Sequence, residues 1–185
     1  MFKVMDYLHY FILEVTMTHM GESEDTREPR WLDADEQQTW YAFAYVLTLL
    51  PAALEAQMQR EAGIGYFDYL VLSALSIAPD RTLRMSDVAQ FTGSTLSRLS
   101  NVVSKLEKRD WVRREADPSD GRFTLASLTE AGWEKVTLAA PGHVDEVRRR
   151  VFDPLTRAQQ RQLGAVAQRI LGAMDAQCPT DWKTR

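Results

Sequence analysis

Cysteine is almost missing from this chain: Cys178 is the single one in 185 residues. A lone thiol makes no intrachain disulfide, and nothing basic or helix-capping beside it would activate it as a redox sensor. With no Cys-x-x-Cys pair and only His9, His19 and His143, widely spaced, the chain offers no metal-ligand set. No cofactor is expected. A Gly-rich phosphate loop and a nucleophile elbow are also missing, which argues against an enzyme. Long apolar runs are absent too. The first twenty residues come nearest, but Asp6, His9 and Glu14 interrupt them, so they make a poor signal peptide and are too short and polar to span a membrane. Met5, Leu8, Ile12 and Val15 fall at helical spacing there, giving an expected amphipathic helix ahead of a charged linker. The expected location is the cytoplasm.

An overall excess of positive charge is the last thing missing. Net charge is −4, which on average disfavours a nucleic-acid partner. The distribution says otherwise. Residues 1–80 carry 4 basic and 13 acidic side chains, residues 81–122 carry 9 and 6, and residues 123–185 carry 9 and 7. Positive charge is therefore a local footprint in the middle of the chain.

What is present is mostly helical patterning. Trp40, Phe43, Leu47, Leu50, Leu54 and Met58 recur three or four apart, and Tyr41, Tyr45, Val46 and Leu49 widen the stripe until little of the first half is polar. A helix apolar nearly all round suggests a subunit interface. Pro51 is expected to kink or divide it, and Gly63 and Gly65 to end it. Residues 67–77 predict a second helix stopped by Pro79, and "TLRM" a brief strand. Ser86 is expected to cap a short helix through Val88 and Ala89 that Gly93 closes, and Ser94 or Thr95 to cap the next. That next helix, with Leu96, Leu99, Val102, Val103 and Leu106 inward, should run to about Asp110. A short helix, a Gly-containing turn and a longer helix form a helix-turn-helix. "WVRRE" and "RFTLAS" then predict a hairpin around "DPSDGR". Thr129 should cap a further helix interrupted by Pro141 and Gly142, with His143 a polar residue at the kink. It resumes through Val144, Val147 and Val151. Thr156 and Gln159 form a capping box for the last helix, whose stripe is Leu163, Val166, Ile170 and Met174.

The second helix of the helix-turn-helix has an outer face of Thr95, Ser97, Arg98, Ser100, Asn101, Ser104, Lys105 and Lys108. Three serines cost helix propensity, so stability alone does not select them. Ser, Asn and Arg carry the donors and acceptors that suit base edges in a major groove, and the N-terminal part of such a helix is the part that reaches them. Lys105 and Lys108 are better placed for phosphates.

The block "LRMSDVAQFTGSTLSRLSNVVSKLEKRDWVRREADPSDGRFTLASLTEAG" resembles the winged helix-turn-helix core of the MarR (multiple antibiotic resistance regulator) family of bacterial transcription factors. Asp120-x-Arg122 followed by Leu128-Thr129 and Gly132 matches the D-x-R…L-T-x-x-G pattern of that family's wing. The resemblance implies a mainly α fold with a small β-hairpin wing, flanked by N- and C-terminal dimerisation helices. It implies a homodimeric repressor on a pseudo-palindromic operator in double-stranded DNA, released by a small molecule, often an aromatic acid, or by an oxidant. Three departures stand out: Asp110 replaces a usual Gly, Gly121 a common second Arg, and Asn101 an often basic residue.

On this reading the chain divides into an extension at 1–30, an N-terminal dimerisation helix at 31–65, the winged unit at 66–132 and C-terminal dimerisation helices at 133–185. Trp40, Phe43, Leu47, Val151, Phe152, Leu163, Val166 and Ile170 are the expected dimer contacts. Trp40, Tyr41, Tyr45, Tyr66 and Tyr69 are candidates for lining an effector cavity, although aromatics at helical spacing also serve as core. In the wing, Asp117 is expected to cap the turn and Asp120 to hold Arg122 so that it projects towards a minor groove. A winged helix used as a protein-interaction module remains the alternative, because the fold alone does not imply DNA binding.

Overall fold

The computed structural model describes residues 29–174, so the expected N-terminal helix and Cys178 lie outside the described residues. The chain falls into two units, 1–41 and 42–185. In the first, Asp33 and Glu36 form a reciprocal cap: the Glu36 N–H donates to Asp33 Oδ1 (2.8 Å) and the Asp33 N–H to Glu36 Oε2 (3.0 Å). They open helix α1 (Ala34–Ala62), which runs on into the second unit.

α1 contains Pro51 and is not divided by it. A proline inside a helix deletes one backbone hydrogen bond, and here the ladder resumes on either side. Gly63, at φ 64°, ends the helix: its N–H donates to Gln59 O (3.1 Å), the bond of a left-handed C-terminal cap, and the Ile64 N–H reaches Met58 O (3.5 Å). Helix α2 (Tyr66–Ser76) starts two residues later, and Gly65 supplies no side chain to cap it. Glu55 of α1 does so instead, accepting from the Tyr66 N–H at 2.6 Å.

A single turn of 3-10 helix (Pro79–Arg81) leads into strand β1 (Thr82–Arg84), then helix α3 (Met85–Phe91) and helix α4 (Leu96–Glu107). The expected cap at Ser86 is corrected: the strand feeds straight into the helix, so extended Arg84 holds the cap position and the Ser86 hydroxyl sits within the first turn beside Asp87. Gly93, at φ 59°, closes α3 as expected. Thr95 caps α4, its Oγ1 accepting from the Arg98 N–H at 3.2 Å. Leu96, expected inward, is 55% exposed, because the buried stripe begins one turn later at Leu99. The regular helix stops at Glu107, three residues before Asp110.

Strands β2 (Val112–Ala116) and β3 (Thr124–Leu128) make the expected hairpin, and β1 adds to the far edge of β3, giving an antiparallel sheet of order β1-β3-β2. Ala126 and Leu128 of the central strand point into the core while Leu125 and Ser127 are half-buried, the period of two that a one-sided sheet requires. Helix α5 (Glu130–Val147) begins at the Thr129 cap and continues as a π-helical turn (Arg148–Phe152). Its expected interruption at Pro141 and Gly142 does not occur. Pro141 is exposed, and Gly142 lets α5 approach α1: a Cβ there would lie 2.7 Å from Glu61 Oε2 and 3.1 Å from Gln57 Nε2. Helix α6 (Arg157–Ala173) carries the expected capping box of Thr156 and Gln159.

The core of the second unit is one cluster. Met58 of α1, Leu72 and Leu75 of α2, and Val88 of α3 meet Leu99, Val103 and Leu106 of α4 beneath Val112 and Ala126 of the sheet. At roughly 1.5–3 kcal/mol for each large apolar side chain buried, this cluster is what fixes α4 against the sheet. No described helix is long and apolar enough to cross a membrane.

Candidate nucleic-acid interface

α4 presents its polar face by default, since Leu99, Val102, Val103 and Leu106 are held in the core. Ser97, Arg98, Asn101 and Lys105 are exposed. Arg98 is not loose: its guanidinium lies 4.3 Å from the centre of the Phe67 ring of α2, a cation–π contact that orients the fork. Together with Phe67 and Asp68 these side chains line an open groove of about 640 Å³. Burial raises the pKa of the Asp68 carboxyl there, with Arg109 and Lys105 pulling the other way.

Three predicted residues have internal partners. Thr95 spends its oxygen on the helix cap. Ser100 and Ser104 are half-buried and accept from Arg114 of β2, at 3.3 Å and 2.9 Å. Arg114 also grips Glu107 through Nε (2.9 Å) and Nη2 (2.5 Å), and its own N–H donates to Glu107 Oε1 (3.0 Å). These bonds hold the Glu107 carboxyl below its ordinary pKa. Sequence reading placed Arg114 only as a strand residue. The signal lay in two opposite charges seven positions apart across a tight turn, but only the fold-back of β2 onto α4 makes them neighbours.

The wing tip is built as its sequence suggests. Asp117 Oδ1 accepts from the Ser119 N–H (2.8 Å) and hydroxyl (2.6 Å). Its other oxygen takes Arg84 of β1, at 2.7 Å from Nη2 and 2.8 Å from Nε. The Ser119 hydroxyl and N–H, then Arg84, hold the Asp117 pKa down at about 2. Arg84 also stacks on Phe123 at 4.3 Å, so the root of the wing is packed as well as paired. At the tip, Asp120 receives Arg122 through Nε (2.9 Å) and Nη2 (2.6 Å), and the Arg122 side chain is still 85% exposed. Asp120 is held below its ordinary pKa by that fork, and Arg122 above its own.

The remaining candidates divide between the two units. Trp40 is exposed and Tyr41 half-buried, both in the first unit. In the second, Tyr45 is exposed, while Tyr66 and Tyr69 stand against the His143 imidazole at 5.7 Å and 4.6 Å between ring centres. Burial raises both phenol pKa values and lowers that of His143, so the imidazole is neutral at physiological pH. Of the expected dimer contacts, Phe43, Leu47, Phe152, Leu163 and Val166 are exposed, and Val151 and Ile170 half-buried. Among the described residues no group of three or more His, Cys, Asp or Glu could hold a metal ion.

A family model described as MarR family matches residues 63–122. The uncharacterised HTH-type transcriptional regulator YdcH of Bacillus subtilis is 42% identical over 83 residues, covering 44% of this chain; the chain spans only 56% of that relative's length. Two solved structures match over far more. Sco3205 from Streptomyces coelicolor, a MarR family transcriptional regulator solved in complex with DNA, is 44% identical over 83% of this chain and 98% of its own, with a TM-score of 0.77. AbsC, a MarR family transcriptional regulator from the same organism, is 36% identical over 80% of this chain and all of its own, with a TM-score of 0.76. The chain therefore belongs to the MarR family of winged helix-turn-helix transcriptional regulators.

Proposed function

We propose that the protein is a dimeric, sequence-specific DNA-binding repressor that acts in the cytoplasm and is released from its operator by a small aromatic effector. The observation that carries the reading is Arg122: a cation oriented by the Asp120 carboxylate and still 85% exposed turns its free edge to solvent. In support, the 44% identical Sco3205 was solved on DNA. In the mechanism, α4 enters the major groove with Ser97, Arg98 and Asn101 towards base edges and Lys105 towards phosphate. The wing places Arg122 at the neighbouring minor groove. Two copies about 34–36 Å apart then read the halves of a pseudo-palindrome. The dimer forms through the apolar side chains that α1 and α6 leave in water, including Leu47, Leu49, Leu163 and Val166. Effector release is assigned to Tyr66 and Tyr69, the two candidates that stand together against His143 in the second unit.

Selection of bound sequences from a random DNA pool tests the reading. A palindromic consensus is the expected product, and recovery of unselected sequence at every salt concentration would sink it. A thermal-shift screen with aromatic carboxylates tests the effector: stabilisation by at least one of them is expected, and none would remove that part.

A further inference from the structure

Ser100, Ser104 and Glu107 occupy one stripe of α4, spaced four and three apart, so their side chains line up along nearly two turns. A single guanidinium, that of Arg114, touches all three. The next stripe round the helix carries Ser97, Asn101 and Lys105, which are exposed. The apolar stripe sets how far α4 lies from the sheet, but apolar contacts are non-directional and leave rotation about the helix axis loosely defined. A planar fork with fixed donor directions does define it.

We propose that Arg114 is the positioning residue for sequence discrimination, fixing the rotation of the recognition helix relative to the wing. Ser100 and Ser104 serve as its acceptors, and base reading falls to Ser97, Arg98 and Asn101. With side-chain tips about 5–6 Å from the helix axis, a 20° rotation moves them by about 2 Å. Hydrogen bonds to base edges do not survive such a displacement. A contact from Lys105 to phosphate adjusts to it, and the minor-groove contact of Arg122 lies on the wing, which does not turn with α4. Losing the fork therefore erodes specific binding and spares non-specific binding.

The inference rests on the DNA-binding reading, and two measurements keep their failures apart. In the first, Arg114→Lys and the Ser100→Ala/Ser104→Ala pair are titrated with the selected operator and with scrambled DNA across salt concentrations. The operator-to-scrambled ratio should fall roughly tenfold or more in each, the loss from misplacing one base contact, with the salt slope as in wild type. Lysine retains the charge, so an unchanged ratio in Arg114→Lys overturns the proposal, and an equal loss on both DNAs with a shallower slope reassigns Arg114 to phosphate binding. The second needs no DNA. Spin labels at Ser97→Cys and Gly121→Cys, in a Cys178→Ser background diluted with unlabelled protein, report the distance between helix and wing tip. Arg114→Lys should broaden that distribution, and an unchanged width overturns the proposal. If wild type binds no DNA, the functional reading fails while the distance measurement still decides whether Arg114 fixes the helix.

Discussion

Arg122 and Arg98 are each oriented before any DNA arrives, one by a carboxylate and the other by an aromatic face. Removing Asp120 should therefore weaken DNA binding even though it deletes a negative charge. Fluorescence anisotropy of Asp120→Ala on operator DNA checks this, and tighter binding would overturn the role given to the pair. Arg98→Ala should cost roughly 1–3 kcal/mol and relax discrimination at one base position, whereas Arg122→Ala should weaken binding to all sequences. Asp117 bears on stability instead. Its pKa is lowered from 3.8 to about 2 in the fold, so the stabilisation linked to its charge is complete above about pH 4 and is lost as pH falls through about 2. Asp117→Asn should flatten the acid limb of a denaturation series followed by circular dichroism in that window, and an unaltered limb would show that its bonds to Ser119 and Arg84 add nothing. At this scale the sequence was readable where partners are close along the chain. Asp120 and Arg122, Thr95 and Arg98, and Thr156 and Gln159 meet within one turn, so spacing alone identifies them. Arg84 with Asp117, 33 positions apart, and Arg114 with Ser100, 14 apart, depend on how the strands return.

Among the elements, periodicity located every described α-helix and both strands of the wing but not the 3-10 turn at Pro79–Arg81, and the breaks read at prolines are absent. Pro51 and Pro141 each sit inside a continuous helix, because one missing backbone bond costs less than the packing of the surrounding turns returns. Gly142 looked like punctuation and is a site of close helix contact, which a single sequence does not distinguish. Gly132 is a stronger case. A Cβ there would run into the Trp111 carbonyl oxygen and come 2.7 Å from Leu128 Cδ1, and backbone cannot step aside as a flexible side chain can. Gly132→Ala should thus destabilise by about 3 kcal/mol in urea denaturation, and a loss under about 1 kcal/mol would show that α5 shifts freely at its start. Asp110 behaves oppositely. It sits at φ 56° in the turn between α4 and β2, so Asp110→Gly relieves backbone strain and gives back part of it as unfolded-chain entropy. A net gain of about 0.5 kcal/mol, seen as a raised urea midpoint, is expected.

For the whole molecule, an acidic chain with a basic centre is the composition of a protein that meets DNA through one limited surface. Composition did not reveal how much apolar surface stays in water: Leu47, Leu49, Leu163 and Val166 are between 41% and 60% exposed. Isolated exposed leucines are ordinary, but stripes of them along the first and last described helices are expected to be covered by a second copy. Leu163→Glu with Val166→Glu should weaken dimerisation by about a hundredfold or more, the cost of burying unpaired charge. Sedimentation equilibrium would show this, and operator binding should be lost together with the dimer. The joint at Thr129 ties the start of α5 to the turn that follows α4. One hydroxyl donates to the carbonyl of Asp110 at 2.5 Å and accepts from the N–H of Gly132, while the Thr129 N–H donates to the Trp111 carbonyl at 3.1 Å. In mechanical terms this is a hinge without slack: the first turn of α5 cannot translate or twist unless the turn after α4 travels with it or the two bonds from Thr129 to that turn break.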